Sequence, residues 1–182
     1  MLGVDEREQL PVQQAKAGEL EAWSVLFRRY QLPLYVYVFE LARDEQTSLD
    51  IVQETFIAAV RHIASLRDDA KFGGWLFGIA HQKCAQWWRR QNRAAAWRGE
   101  MAESPPDLDA GPDELLVRKE QEAEFMKLIN QLPPPQRSVL LLHFVEDFPL
   151  EQIAEITQTP FGTVKSRLHY AKRALRELLE KT

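Results

Sequence analysis

Apolar residues recur at helical spacing along most of the chain, and the clearest case lies near its C-terminal end. Leu150, Ile153, Ala154 and Ile156 predict a short helix over about 150–156. Pro160 interrupts the pattern, and Thr163 offers a hydroxyl suited to starting the next helix. In that helix Val164, Leu168, Ala171, Leu175 and Leu178 make one apolar stripe, while Lys165, Ser166, His169, Tyr170, Arg173 and Arg176 fall on the opposite arc.

Upstream the same periodicity predicts further helices. One ends near Ala17 at Gly18. A second covers 19–30, with Trp23, Leu26, Phe27 and Tyr30 inward. Pro33 suits the first turn of a third, over 33–41. A fourth, over 47–65, places Leu49, Val52, Phe56, Ala59, Val60 and Ile63 on its core side and Asp50, Gln53, Glu54, Ile57 and Arg61 outside. A fifth, over 74–93, buries Leu76, Phe77, Ala80, Cys84, Trp87 and Trp88. Its other arc carries Trp75, Ile79, Gln82, Lys83, Gln86, Arg89, Arg90 and Arg93, with no acid. Later helices are expected over 113–131, with Leu115, Leu116, Phe125, Met126 and Ile129 inward, and over 135–145, with Val139, Leu140, Leu142, His143 and Phe144 mostly covered; Leu132 and three prolines separate them.

Strand signals are weak, with few strict alternations and no Asn-Gly or Asp-Gly hairpin, so the expected class is all-α. Pro105, Pro106, Gly111 and Pro112 argue against a continuous helix through the middle of the chain. The expected organisation is therefore two small helical domains, residues 1–94 and 113–182, held apart by a flexible acidic linker at 95–112.

Charge sharpens this division. The net charge is −4, yet residues 89–98 and 165–176 are strongly basic while 99–117 holds six acids and no base. An acidic protein with two local basic patches suits guided, partner-dependent binding of DNA better than indiscriminate coating. The single cysteine, Cys84, allows no internal disulfide, no signal peptide opens the chain, and no apolar run approaches the ~20 residues of a membrane span. A cytoplasmic, membrane-free protein is expected. His81 and Cys84 offer two possible metal ligands where a structural zinc site needs four, so no metal or other cofactor is expected. The phosphate-binding and hydrolase motifs are also missing, so no catalytic residue and no enzyme activity are expected.

The terminal pair of helices has the form of a helix-turn-helix. Its second member hides one face and offers cations, a hydroxyl and an imidazole on the other, as a helix entering a DNA major groove must. The outer arc of the 74–93 helix combines an aromatic ring, two amides and several cations, a surface able to stack an unpaired base and hold a separated strand.

Two blocks carry a specific resemblance. The run LPPPQRSVLLLHFVEDFPLEQIAEITQTPFGTVKSRLHYAKRALREL resembles region 4 of the extracytoplasmic-function (ECF) sigma factors of bacterial RNA polymerase, and DIVQETF with FGGWLFGIA resembles their region 2. The resemblance implies core-polymerase binding, at the clamp of the large subunit, through Asp50, Gln53 and Glu54, with Phe56 supporting them from the core. It implies recognition and melting of the promoter −10 element by Lys71, Trp75, Gln82, Lys83, Gln86, Arg89, Arg90 and Arg93. It implies −35 recognition by Thr163, Lys165, Ser166, Arg167, His169, Lys172, Arg173 and Arg176, with Arg167 at the stripe's edge suited to a phosphate or an intramolecular pair. Promoter DNA and an anti-sigma factor are the further partners implied, and the linker is placed near the polymerase active-site and RNA-exit path.

The chain departs from the family pattern at Val60, where Trp is common, and at His81, Gln82 and Gln86, near which a cation, Asn and Asp are common. Further departures are Gln158 for Gly, Thr159 for an apolar residue and Tyr170 for Arg. Two other readings of the residues remain: a dimeric helix-turn-helix repressor acting without polymerase, and an adaptor that binds polymerase but no promoter.

Overall fold

The computed structural model describes residues 10–98, 129–145 and 147–179, with side chains at 10–92, 129–144 and 147–177. Among these residues the secondary structure is helical throughout: α1 (Val12–Lys16), α2 (Leu20–Ala42), α3 (Glu45–His62), α4 (Phe72–Arg98), α5 (Pro134–Val145), α6 (Leu150–Thr157) and α7 (Phe161–Leu179), with two short 3-10 turns between α3 and α4. Of the linker expected at 95–112, residues 95–98 are described and belong to α4, so its start is corrected to beyond Arg98; residues 99–112, and nearly all of the helix expected over 113–131, lie outside the described residues.

Local chemistry sets most of the boundaries. Asp44 caps α3, its carboxylate accepting the Thr47 backbone N–H at 2.7 Å. Leu66 and Asp69, beyond α3, tie down α1: Lys16 reaches the Leu66 carbonyl at 2.8 Å and the Asp69 carboxylate at 2.5 Å. Gln158 ends α6 in the left-handed region, φ 49° and ψ 43°, where the family pattern has glycine.

Several expectations change. The two helices expected over 19–30 and 33–41 are one helix, α2, with Pro33 inside it. A proline there removes one backbone hydrogen bond, but Tyr30, Leu34, Tyr37, Val38 and Leu41 continue one buried face across it. The neighbouring Gln31 and Leu32 are exposed, so water can reach that side of the helix. The α4 helix runs to Arg98, past the 93 expected, through Ala94, Ala95 and Ala96, residues of high helix propensity. The α7 helix begins at Phe161, and the Thr163 and Val164 N–H groups bond back to the Pro160 carbonyl. Thr163 therefore sits within the first turn and does not cap it.

On α3 the core face is turned from the expected one. Ser48, Ile51 and Thr55 are buried, whereas Leu49 and Val60 are about half exposed (48% and 52%). The hydroxyls of Ser48 and Thr55 bond back to the Asp44 and Ile51 carbonyls, which lets these polar residues enter the core. Trp87 and Trp88 are only half-buried, and the Trp88 indole N–H donates to the Leu41 carbonyl at 3.1 Å. Phe144 is exposed, with the Lys172 ammonium 5.5 Å from its ring centre.

The N-terminal helices pack around Leu26, Leu34, Tyr37, Phe72, Leu76 and Phe77; the C-terminal ones around Leu140, Leu142, Ile153, Val164 and Leu168. These two sets, expected to be held apart, lie against each other. The α6 helix packs across α4, and α5 against α2. Phe77 and Phe148 meet edge to face at 5.4 Å. The Tyr37 hydroxyl lies 2.8 Å from both Ser138 Oγ and His81 Nδ1. The buried Arg137 guanidinium donates to three carbonyls, those of Glu40 (2.8 Å), Asn130 (2.5 Å) and Leu132 (3.1 Å).

Two predictions follow from these contacts. A glycine at the left-handed cap removes the Cβ strain, so Gln158→Gly should raise unfolding stability by roughly 0.5–1 kcal/mol, read as a higher urea midpoint; an unchanged or lower midpoint would contradict the strain. For His81, burial and then the Arg167 charge hold the imidazole down to about 4 from 6.5. Between those values the unfolded chain binds a proton that the folded chain refuses, so this stability is complete above pH 6.5 and declines as pH falls towards 4. The groups around it are the Tyr37 and Ser138 hydroxyls and Arg167. Glu40, whose carboxyl is raised by burial, acts in the opposite sense. The drop in urea midpoint between pH 7.5 and 5.5 should accordingly shrink in His81→Gln; an equal drop would show that His81 contributes nothing.

Candidate nucleic-acid interface

The α7 helix puts Val164, Leu168, Ala171 and Leu175 into the core, and this fixes which way the other side points. Thr163, Lys165, Ser166, His169, Lys172, Arg173 and Arg176 are all exposed. The Ser166 hydroxyl returns to the Gly162 carbonyl at 2.9 Å. Arg173 Nε donates to Glu177 Oε1 at 2.7 Å, and that carboxylate holds the guanidinium yet more firmly protonated. Glu177, one turn beyond, thus pairs with Arg173 in this structure; an i,i+4 acid was the sequence signal for this. Arg167 is half-buried and donates to Thr159 Oγ1 at 3.2 Å, an intramolecular pair that draws it away from the exposed arc. Thr159 thus supplies an acceptor that the apolar residue common there could not.

The outer face of α4 is less open than its sequence suggests. Gln82, Gln86, Arg89 and Arg90 are exposed, and Trp75, Ile79 and Lys83 are half-buried. The side chain of Arg93 lies outside the described residues, as does that of Leu178. Opposite Trp75 stands α6. Together they line a cleft of about 790 Å³, with Trp75, Gly78, Gln82 and Gln86 on one wall and Gln152, Glu155 and Gln158 on the other. Lys71 Nζ meets both Glu155 carboxylate oxygens at 3.3 Å. Gln152 and Glu155 had no place among the expected site residues, because only the tertiary packing of α6 brings them there.

A third surface lies on α3. Asp50, Gln53 and Glu54 are exposed in a row, and Phe56 is buried at 7% against Phe27, their rings 4.7 Å apart. Beside them an apolar groove of about 850 Å³ runs between α2 and α3, lined by Leu32, Tyr35, Leu49, Ile57 and Val60 with Gln53 and Arg61 at its rim. Leu49 and Val60, expected in the core, face this groove. An exposed apolar strip edged by polar groups has the anatomy of a protein interface. Glu54 Oε2 also accepts from Lys83 Nζ at 2.9 Å, which joins the α3 row to the α4 face.

Among the described residues no three His, Cys, Asp or Glu side chains cluster to hold a metal ion, and no helix is long and apolar enough to cross a membrane. Cys84 is buried, its thiol pushed up to about 12 by desolvation.

Comparison with known proteins agrees with this geometry. Residues 26–94 match the family described as sigma-70 region 2, and residues 122–175 match sigma-70 region 4. The chain is 30% identical to the RNA polymerase sigma-H factor of Pseudomonas aeruginosa, across 96% of this chain and 95% of that one. It is 28% identical to the ECF RNA polymerase sigma factor SigW of Bacillus subtilis, across 92% and 94%. Among solved structures, the sigma factor RpoE of Bartonella quintana, in complex with the anti-sigma factor NepR, superimposes with a TM-score of 0.67 at 26% identity, over 85% of this chain and 96% of that one. With both regions matched in order and a relative aligned along nearly its whole length, the chain belongs to the ECF sigma factors of RNA polymerase.

Proposed function

We propose that this chain binds core RNA polymerase through α3, opens the −10 element on α4, reads the −35 element with α7, and is held in check by an anti-sigma factor. The observation that carries the reading is the split character of α7: its apolar residues are consumed by the core, which leaves an exposed polar arc with Lys165, His169 and Arg173 pointing outward. Such an arc fits a major groove, with Lys172 and Arg176 placed for phosphates.

On α3, Asp50, Gln53 and Glu54 supply charge and amide contacts while the apolar groove beside them supplies desolvation energy. Carboxylates there would orient a basic partner and speed encounter, and burial of Leu49, Ile57 and Val60 would hold it. The same groove is open to an amphipathic segment of an anti-sigma factor, which would then exclude polymerase by competition. On α4, Trp75 offers a stacking face, Gln82 and Gln86 offer paired donors and acceptors to an unstacked base, and Lys71, Lys83, Arg89 and Arg90 offer cations to the strand. The segment that follows Arg98 joins the two promoter-reading parts. Nucleotide addition belongs to the polymerase, so the chain needs no catalytic group. Work alongside polymerase on DNA places it in the cytoplasm.

Runoff transcription with purified core polymerase, with and without this protein on genomic fragments, tests the reading: defined new start sites should appear only with both present. A pure protein that binds target promoters tightly without polymerase would instead indicate a repressor. Glu54→Lys should weaken polymerase binding by at least about tenfold, by removing an attraction and adding a repulsion. Arg173→Ala should leave polymerase binding intact and lower −35-dependent initiation by about tenfold, the worth of a modest base or phosphate contact. Equal loss of both activities in both variants would point to misfolding and contradict the assignment of separate surfaces.

A further inference from the structure

We propose that Tyr170 is a specificity-determining residue of α7: its exposed ring packs against the 5-methyl group of a thymine in the −35 duplex and so selects thymine at one position of that element. This rests on the reading that the outer arc of α7 enters the major groove.

The geometry starts from one row of the helix. Gly162, Ser166 and Tyr170 follow one another at four-residue spacing on the exposed side, away from the Val164–Leu175 stripe. A Cβ on Gly162 would meet nothing within 4 Å, so the helix surface is open at this end. The Ser166 hydroxyl is turned back onto the Gly162 carbonyl. Both residues are small, and Tyr170, 54% exposed, is the first large side chain on the row. A groove that closes on the two small residues brings its base edges to the next turn, where the ring stands. The ring is also steadied there. His169 meets it edge to face, with centroids 5.6 Å apart and planes at 73°. A side chain held in this way loses little freedom when it makes a contact.

The chemistry of the ring decides what it reads. Cations, amides and hydroxyls distinguish the donors and acceptors of base edges, whereas ring carbons distinguish apolar surface. The thymine 5-methyl is the apolar group that base edges present in the major groove. The phenol oxygen can donate or accept, so it suits several bases and a phosphate and selects none of them. Selectivity therefore lies with the ring. The arginine common at this position in the family pattern would instead favour the paired acceptors of guanine, so the departure at Tyr170 changes the base that is read.

The test uses holoenzyme formed from core polymerase and the full chain. Selection from promoter fragments randomised across the −35 element gives the preferred sequence. Each of its thymines, on either strand, is then replaced by deoxyuridine, which removes the methyl and keeps every hydrogen-bonding group. At one position the replacement should weaken binding of the unaltered protein by about three- to fivefold, the effect of uncovering one methyl group. Tyr170→Phe should keep that penalty. Tyr170→Ala should bind core polymerase as before and reduce the penalty to below about 1.5-fold. In a repeat selection Tyr170→Arg should exchange thymine for guanine at the same position. A selected element without thymine, no deoxyuridine penalty at any position, or penalties that all survive in Tyr170→Ala would overturn the assignment of Tyr170 while leaving α7 as the reading helix. A holoenzyme that selects no −35 sequence at all would overturn both this assignment and the reading of α7 on which it rests.

Discussion

The apposition of α6 and α4 decides what the rest of the molecule can present. Two glycines on α4 and Ile156 on α6 set how near the two helices come, and the Tyr37–Ser138–His81 cluster with Arg137 holds the flanking helices in register. From that one seam follow the half-covered Trp75, the Lys71–Glu155 pair and the cleft between them. The α7 stripe is buried separately, against α5 and α6, and this leaves its cations facing water.

Electrostatics ties the surfaces together more closely than a two-domain drawing suggests. Glu54 belongs to the α3 row, yet its carboxylate is held by Lys83 from α4. Arg173 on α7 is held by Glu177, and Lys71 by Glu155. Under the proposed function each of these cations would take part in strand or duplex binding, and each is paired here with a nearby acid. Exposed pairs of this kind are individually worth little, so phosphates can displace them.

What the sequence revealed depended on range. The α7 stripe, the helical class and the α3 row of Asp50, Gln53 and Glu54 follow from periodicity and local motif, and the side chains lie where the pattern puts them. Pro33 misled because its rule is local, whereas the face from Tyr30 to Leu41 that carries α2 through it is tertiary. Leu49 and Val60 were misplaced because an apolar side chain at helical spacing looks the same whether it meets a core or an open groove, and because Ser48 and Thr55 could enter the core by bonding their own helix. The contacts of Glu155, Gln152 and Arg137 had no sequence signature at all. They join residues far apart in the chain, and only the packed structure brings them together.

The account stands on two separate surfaces that must act together, the α3 row for polymerase and the outward arc of α7 for promoter duplex. Footprinting a target promoter with core polymerase and this chain, together and each alone, measures this most directly. Protection of the −35 and −10 elements is predicted only when both are present. Equal protection by the pure chain alone would contradict it.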